Sequence, residues 1–169
     1  MESQRTIHKV VITGISGFVG SQVCKSFLED GTFTVRGTVR DKNNKARMAP
    51  IEIGLGEFFN QLDLVNADLL DAESLDLAIK GQDYVIHTAS PFPAAHPKDD
   101  NDIIKPAVEG TLAVMRAAHK HKVKRVVITS SVAAIMAHLP ENRKDLYDEN
   151  DWSELAACSP YDKSKTLAE

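Results

Sequence analysis

The chain has 169 residues, 43% of them hydrophobic and 26% charged, with a formal net charge of −4. That length suits one domain with a real core and is too short for two ordinary ones. The mild acidity points away from nucleic acid, whose binders carry a basic face, and no apolar run reaches membrane-spanning length. Met1 to Arg5 contains an acid and no apolar stretch, so it does not read as a signal peptide, and the cytoplasm is the expected compartment. Cys24 and Cys158 have neither metal-ligand spacing nor a disulfide framework and read as reduced thiols.

Strand-like and helix-like segments alternate along the chain. His8 to Thr13 is a β-branched run ending in glycine, hence a buried strand. Gly17 to Glu29 places Phe18, Val19, Val23, Phe27 and Leu28 on one helical face, and Asp30-Gly31 stops that helix. Thr34 to Val39 reads as a second strand, followed by a loop or short helix over Asp41 to Arg47. Ala49 to Gln61 is ambiguous, because Gly54 and Gly56 weaken a helix there. Leu62 to Ala67 is a third strand ending at Asp68-Leu69, and Asp71 to Ile79 a helix stopped by Gly81.

Tyr84 to Thr88 forms a fourth strand and Ala89 to Pro93 a loop. A long helix over Ile103 to His121 carries Ile104, Val108, Leu112, Met115 and Ala118 at helical spacing. Arg125 to Thr129 is a fifth strand. An irregular polar stretch follows Ser130-Ser131, and Pro160 introduces a last helix bearing Tyr161 and Lys165. His87, inside the fourth strand, reads as a buried, hydrogen-bonded core histidine. His119 and His121 end a helix, where cations suit the dipole, and read as solvated. No histidine pair has metal spacing with a carboxylate, so no metal is expected. This alternation predicts an α/β fold: a doubly wound parallel Rossmann sheet of order 3-2-1-4-5, with residues 1–169 as a single dinucleotide-binding unit.

Gly14, Gly17 and Gly20 sit where the first strand gives way to the first helix. There the backbone must turn tightly and approach phosphate, and the helix N-terminus offers free N–H groups to a pyrophosphate. An NAD site usually ends its second strand in an acid, whereas this one ends in Arg40. A guanidinium there can grip the extra phosphate of NADP bidentately, with Lys45 and Arg47 a short loop away, so NADP is expected over NAD. Asp68 reads either as an adenine contact or as a cap for the following turn. Tyr161 and Lys165 are one helical turn apart, so their side chains share a face. The ammonium stabilises a phenolate, which suits Tyr161 as a proton donor to a carbonyl. Ser131, just past the fifth strand, is expected to face the same crevice and polarise the substrate oxygen.

In combination these motifs resemble the extended short-chain dehydrogenases/reductases, and within them the dihydroflavonol reductase group, which includes cinnamoyl-CoA reductases, anthocyanidin reductases and yeast-type methylglyoxal or ketone reductases. The segments that carry the resemblance are Val11 to Ser21, Gly37 to Asp41, Val85 to Pro91, Lys105 to Thr111, Val127 to Ser131 and Pro160 to Lys165. The resemblance runs from Lys9 to Glu169. It implies NADP(H) held by Gly14, Gly17, Phe18, Val19, Gly20, Arg40 and Arg47, with Asp68 and Leu69 bordering the adenine. Thr88, Ala89 and Ser90 would line the ribose and nicotinamide. Ser131 and Tyr161 would be catalytic, and Lys165 would hold the nicotinamide ribose and tune Tyr161.

It further implies reduction of a small-molecule aldehyde or ketone. Members of the group continue past the lysine helix into further strands and a substrate domain, so this sequence reads as the N-terminal part of such a protein. Its fifth strand is then an exposed edge, which favours a homodimer or a covering partner chain. Two other functions compete. One is an NAD-dependent nucleotide-sugar epimerase or dehydratase, which Arg40 disfavours. The other is a cofactor-binding subunit or sensor without enzymatic activity.

Overall fold

The computed structural model describes residues 7–92 and 97–169; Met1 to Arg5 and Pro93 lie outside the described residues. Five parallel strands form one sheet: β1 (His8–Thr13), β2 (Phe33–Val39), β3 (Asp63–Asn66), β4 (Tyr84–His87) and β5 (Arg125–Ile128). Their order is β3-β2-β1-β4-β5, as the alternation predicts. In register, Val10 pairs with both Val35 and Tyr84, and Thr13 pairs with His87.

The period-two alternation of β1 divides the core. Val10 and Ile12 face one side, where they pack with Cys24 and Leu28 of α1 (Phe18–Asp30) and with Met48, Ile51 and Leu55 of α2 (Lys45–Leu55). Val11 faces the other side, against Leu75 and Ile79 of α3 (Ala72–Ile79) and Val114 and Ala117 of α4 (Asn101–Lys120). A last helix, α5 (Pro160–Ala168), packs against α4. It starts at a capping box, in which Ser159 and Asp162 satisfy each other's backbone amides. Among the described residues, no helix is long and apolar enough to cross a membrane.

Three expectations shift. The ambiguous stretch from Ala49 belongs to α2 and a 3-10 helix over Gly56–Gln61. Asn44 caps α2 by accepting from the Arg47 amide, and Met48, Ile51 and Leu55 share a buried face that outweighs Gly54 and an internal Pro50. In α1 the buried set is Gly20, Cys24 and Leu28, while Phe18 is 86% exposed at the top of the sheet. In α4 the buried stripe is Ile103, Ala107, Gly110, Thr111, Val114 and Ala118, so Leu112 and Met115 are only half-covered. Small residues let α4 approach closely: a Cβ on Gly110 would stand 2.6 Å from Leu69 Cδ2.

Candidate active site

The turn after β1 is built by two glycines with different duties. Gly14 has φ +73°, and a Cβ there would meet Ala89 Cα at 2.8 Å. Gly20 lies beneath the turn, where a Cβ would meet Thr88 Oγ1 at 2.7 Å and crowd the Gly14 carbonyl. Gly17 differs from both. A Cβ on it would touch only the Gly14 carbonyl, at an ordinary 3.4 Å, so packing does not require glycine there. Gly17 is also the N-cap of α1 and brings no capping side chain, which leaves the first-turn amides of Phe18 and Val19 without a side-chain acceptor. The helix therefore opens on a bare, partially positive end.

Gly14 and Gly17 form one wall of a cleft of about 520 Å³ at the carboxyl ends of the strands. Arg40, Asp68, Leu69, Thr88, Ala89 and Ser90 line the same cleft. Beside it, Arg40 and Arg47 share a hollow of about 210 Å³ with Ser16 and Asn44. The Asp41 carboxylate is turned to the Asn43 amide, and among the described residues neither arginine has a carboxylate within ion-pair distance. Asp68 does not cap α3; Asp71 does, accepting from Glu73 and Ser74. Asp68 accepts from the Leu70 amide through one oxygen, as a cap of the following turn, and it also lines the cleft.

Below the cleft lies a buried polar cluster. His87 is 3% exposed; its Nδ1 is 2.8 Å from Thr13 Oγ1 and its Nε2 3.4 Å from Thr111 Oγ1. Thr13 Oγ1 also accepts from the Ala89 amide at 3.1 Å, while Thr88 donates to the Thr13 carbonyl. Burial, and secondarily the Lys165 charge, lowers the His87 pKa to about 4. His87 is thus the hydrogen-bonded core histidine that the sequence suggests.

The catalytic candidates lie outside the lining of that cleft, on α5 and on the turn after β5. Lys165 is 8% exposed, with Nζ 5.9 Å from the centroid of the Tyr161 ring and 3.5 Å from the Thr129 carbonyl. Burial holds its ammonium below the ordinary lysine value, with Glu169 opposing. Lys165 borders a small hollow with His87, Ala89, Ser90 and Ser130. The Tyr161 ring meets Phe92 edge-on at 5.4 Å, and Phe92 also lines the cofactor-sized cleft. The segment from Ala89 to Phe92 is therefore the wall common to both. Ser131 caps a 3-10 turn (Val132–Ala134), and its Oγ accepts from the Ala133 amide at 3.2 Å. Ser130, its neighbour, is the serine that borders the Lys165 hollow and donates to Glu169.

A family model described as "NAD dependent epimerase/dehydratase family" matches residues 10–169. The chain belongs to this family. Within it, the chain is 38% identical over 168 residues to a bifunctional dihydroflavonol 4-reductase/flavanone 4-reductase of Malus domestica, covering 95% of this chain and 47% of that protein. It is 42% identical to cinnamoyl-CoA reductase 2 of Arabidopsis thaliana, with coverage of 95% and 47%. Among solved structures, a yeast methylglyoxal/isovaleraldehyde reductase complexed with NADPH superposes with a TM-score of 0.77 at 26% identity, covering 95% of this chain and 50% of that one. These relatives bear out the resemblance to the extended reductases and to the dihydroflavonol reductase group. The chain spans about half the length of the curated relatives it matches.

The site fits the dinucleotide for which this family is described, because a Cβ-free Gly17, an uncapped helix end and Arg40 border the cleft, and Arg47 joins Arg40 in the hollow beside it, neither arginine ion-paired among the described residues. Sequence reasoning missed the polar props beneath the turn that Ser131 caps. Ser153 is 6% exposed; it donates to the Ala133 carbonyl and accepts from the Ala137 amide, both at 2.9 Å. His138 pairs with Glu154 at 3.0 Å and stacks on Tyr147. Trp152, which follows the acidic stretch Asp148 to Asp151, is 52% exposed. His121 is likewise not simply solvated, since it joins Lys120 on Asp76 of α3.

Proposed function

We propose that the protein acts in NADPH-dependent reduction of aldehydes or ketones. The reading rests on the Ala89–Phe92 wall, which borders the cleft on one side and meets Lys165 and Tyr161 on the other. Bound NADPH supplies a hydride to the carbonyl carbon. Tyr161 gives its phenolic proton to the carbonyl oxygen as negative charge develops there. The Lys165 ammonium stabilises the resulting phenolate. Ser131 accepts from Ala133 and so keeps its own hydroxyl hydrogen for the same substrate oxygen. Arg40 and Arg47 hold the 2′-phosphate in their shared hollow, and the first-turn amides of α1 hold the pyrophosphate.

The test is titration of the chain with NADPH and NADH, together with an NADPH-oxidation assay on a panel of aldehydes and ketones. NADPH is expected to bind at least about tenfold more tightly, because a charge-assisted, bidentate contact between guanidinium and the extra phosphate is worth roughly that much. Equal affinities would sink the arginine argument. Tyr161→Phe is expected to lose about 10²–10⁴ of any reductase rate with NADPH affinity unchanged. Tightly held NAD with no NADPH consumption would instead favour the epimerase-type chemistry in the family's description.

A further inference from the structure

His87 contributes nothing to the chemistry above, yet both of its ring nitrogens are engaged and it is almost fully buried. Its bond to Thr13 is the shorter, at 2.8 Å against 3.4 Å for Thr111. Thr13 Oγ1 already accepts the Ala89 amide; with its own hydrogen directed to Nδ1, the ring proton sits on Nε2, toward Thr111, and this is the tautomer assigned. The Thr13 hydroxyl thus joins three things: the end of β1, the imidazole, and the first residue of the cleft's far wall. The next residue, Gly14, sits so close to Ala89 that a Cβ would stand 2.8 Å from its Cα. The spacing of the two walls is set at this point. A neutral imidazole that accepts at Nδ1 fixes the orientation of the Thr13 hydroxyl, and the oriented hydroxyl fixes Ala89.

We infer that His87 is a positioning residue for the cofactor cleft, clamping the Ala89–Ser90 wall to the glycine turn through the Thr13 hydroxyl. The inference rests on the reading that this cleft holds NADPH, but the clamp itself can be observed without cofactor. The decisive limb is Nδ1, so variants that keep one limb at a time separate this role from filling space. Asparagine reaches the Nδ1 position, glutamine reaches the Nε2 position, and phenylalanine keeps volume alone.

The experiment compares His87→Asn, His87→Gln and His87→Phe in the full chain by amide hydrogen exchange at Ala89 and by NADPH affinity. His87→Asn is expected to hold Ala89 protection and NADPH affinity within about twofold of the parent. His87→Gln is expected to lose about three- to tenfold in both, the worth of one buried hydrogen bond. His87→Phe is expected to lose at least as much as His87→Gln. Parental behaviour of both His87→Gln and His87→Phe overturns the inference, as does retention by His87→Gln with loss in His87→Asn. Should His87→Phe fail to fold, imidazole ¹⁵N spectra of the parent chain decide. A proton on Nε2 is required, and a proton on Nδ1 overturns the inference. If Ala89 protection follows the expected order while the parent chain binds no NADPH, the clamp stands and the proposed cofactor falls.

Discussion

Two strands of this protein carry almost the same letters. Lys9-Val10-Val11-Ile12-Thr13 in β1 and Arg125-Val126-Val127-Ile128-Thr129 at β5 each run from a basic residue through two valines and an isoleucine to threonine. Their surroundings differ completely. Ile12 is fully buried between β2, β4 and the α1–α2 layer, whereas Ile128 is 37% and Val127 48% exposed on a strand that pairs with β4 alone among the described residues. Burial belongs to a strand's place in the order, and β-branched composition does not confer it. The contrast extends to the candidate site. The glycine-turn side rests on a core closed on both faces, while the Tyr161–Lys165 side rests on hydrogen-bonded loops and one capped helix.

The contrast can be broken or sharpened by experiment. The largest effect is expected at Gly14→Val, where the left-handed backbone and the contact with Ala89 both resist a side chain. It should cost about 3 kcal/mol or more and abolish dinucleotide binding, measured by urea unfolding and cofactor titration. Ile12→Ala should then cost about 3 kcal/mol, while the matched Ile128→Ala costs less than about 1 kcal/mol, the difference being transfer and cavity energy. Equal costs would show that something covers β5 in solution.

Acid should act on the buried side next. The His87 pKa is lowered to about 4 in the fold, against about 6.5 in an unfolded chain. The unfolded state therefore takes up the proton first as pH falls. The contribution is intact above pH 6.5 and is lost progressively between about 6.5 and 4. Between pH 7 and pH 5 it amounts to about 2 kcal/mol. Denaturation at both pH values should reveal that loss, and His87→Asn should remove it; an unchanged slope in His87→Asn would refute this assignment. The smallest effect is expected at Ser153→Ala on the Tyr161–Lys165 side. It should cost about 1 kcal/mol for two buried hydrogen bonds and lower Tyr161-dependent turnover more than NADPH affinity. A larger loss in cofactor affinity than in turnover would mean that the two halves of the site are not supported separately.

Much of this was legible in the letters. The strand order, the glycine turn with its cleft, and Arg40 at the end of β2 follow from periodicity and from motifs whose partners lie within one strand–helix unit. The α2 helix was not legible, because Pro50, Gly54 and Gly56 weaken its local preference and only burial of Met48, Ile51 and Leu55 restores it. The stripe of α4 was misjudged for a related reason: alanines and Gly110 face the core there, and hydrophobicity alone draws attention to Leu112 and Met115 instead. Ser153 and His138 carry no signal at all, since their partners, backbone groups and for His138 also the Glu154 carboxylate, are brought near only by the folded loop.

The amino-acid sequence by itself determined the strand–helix alternation, the phosphate-compatible turn and the Tyr161–Lys165 pairing, because each is written at spacings of a few residues and enforced by backbone geometry. Only the tertiary structure decided that Gly14 and Gly20 are sterically required while Gly17 leaves the cleft open. It alone bound His87 through Thr13 to Ala89, and it alone separated Ile12 from Ile128. Those outcomes depend on which distant atoms arrive within about 3 Å of one another, and no local pattern of residues records that.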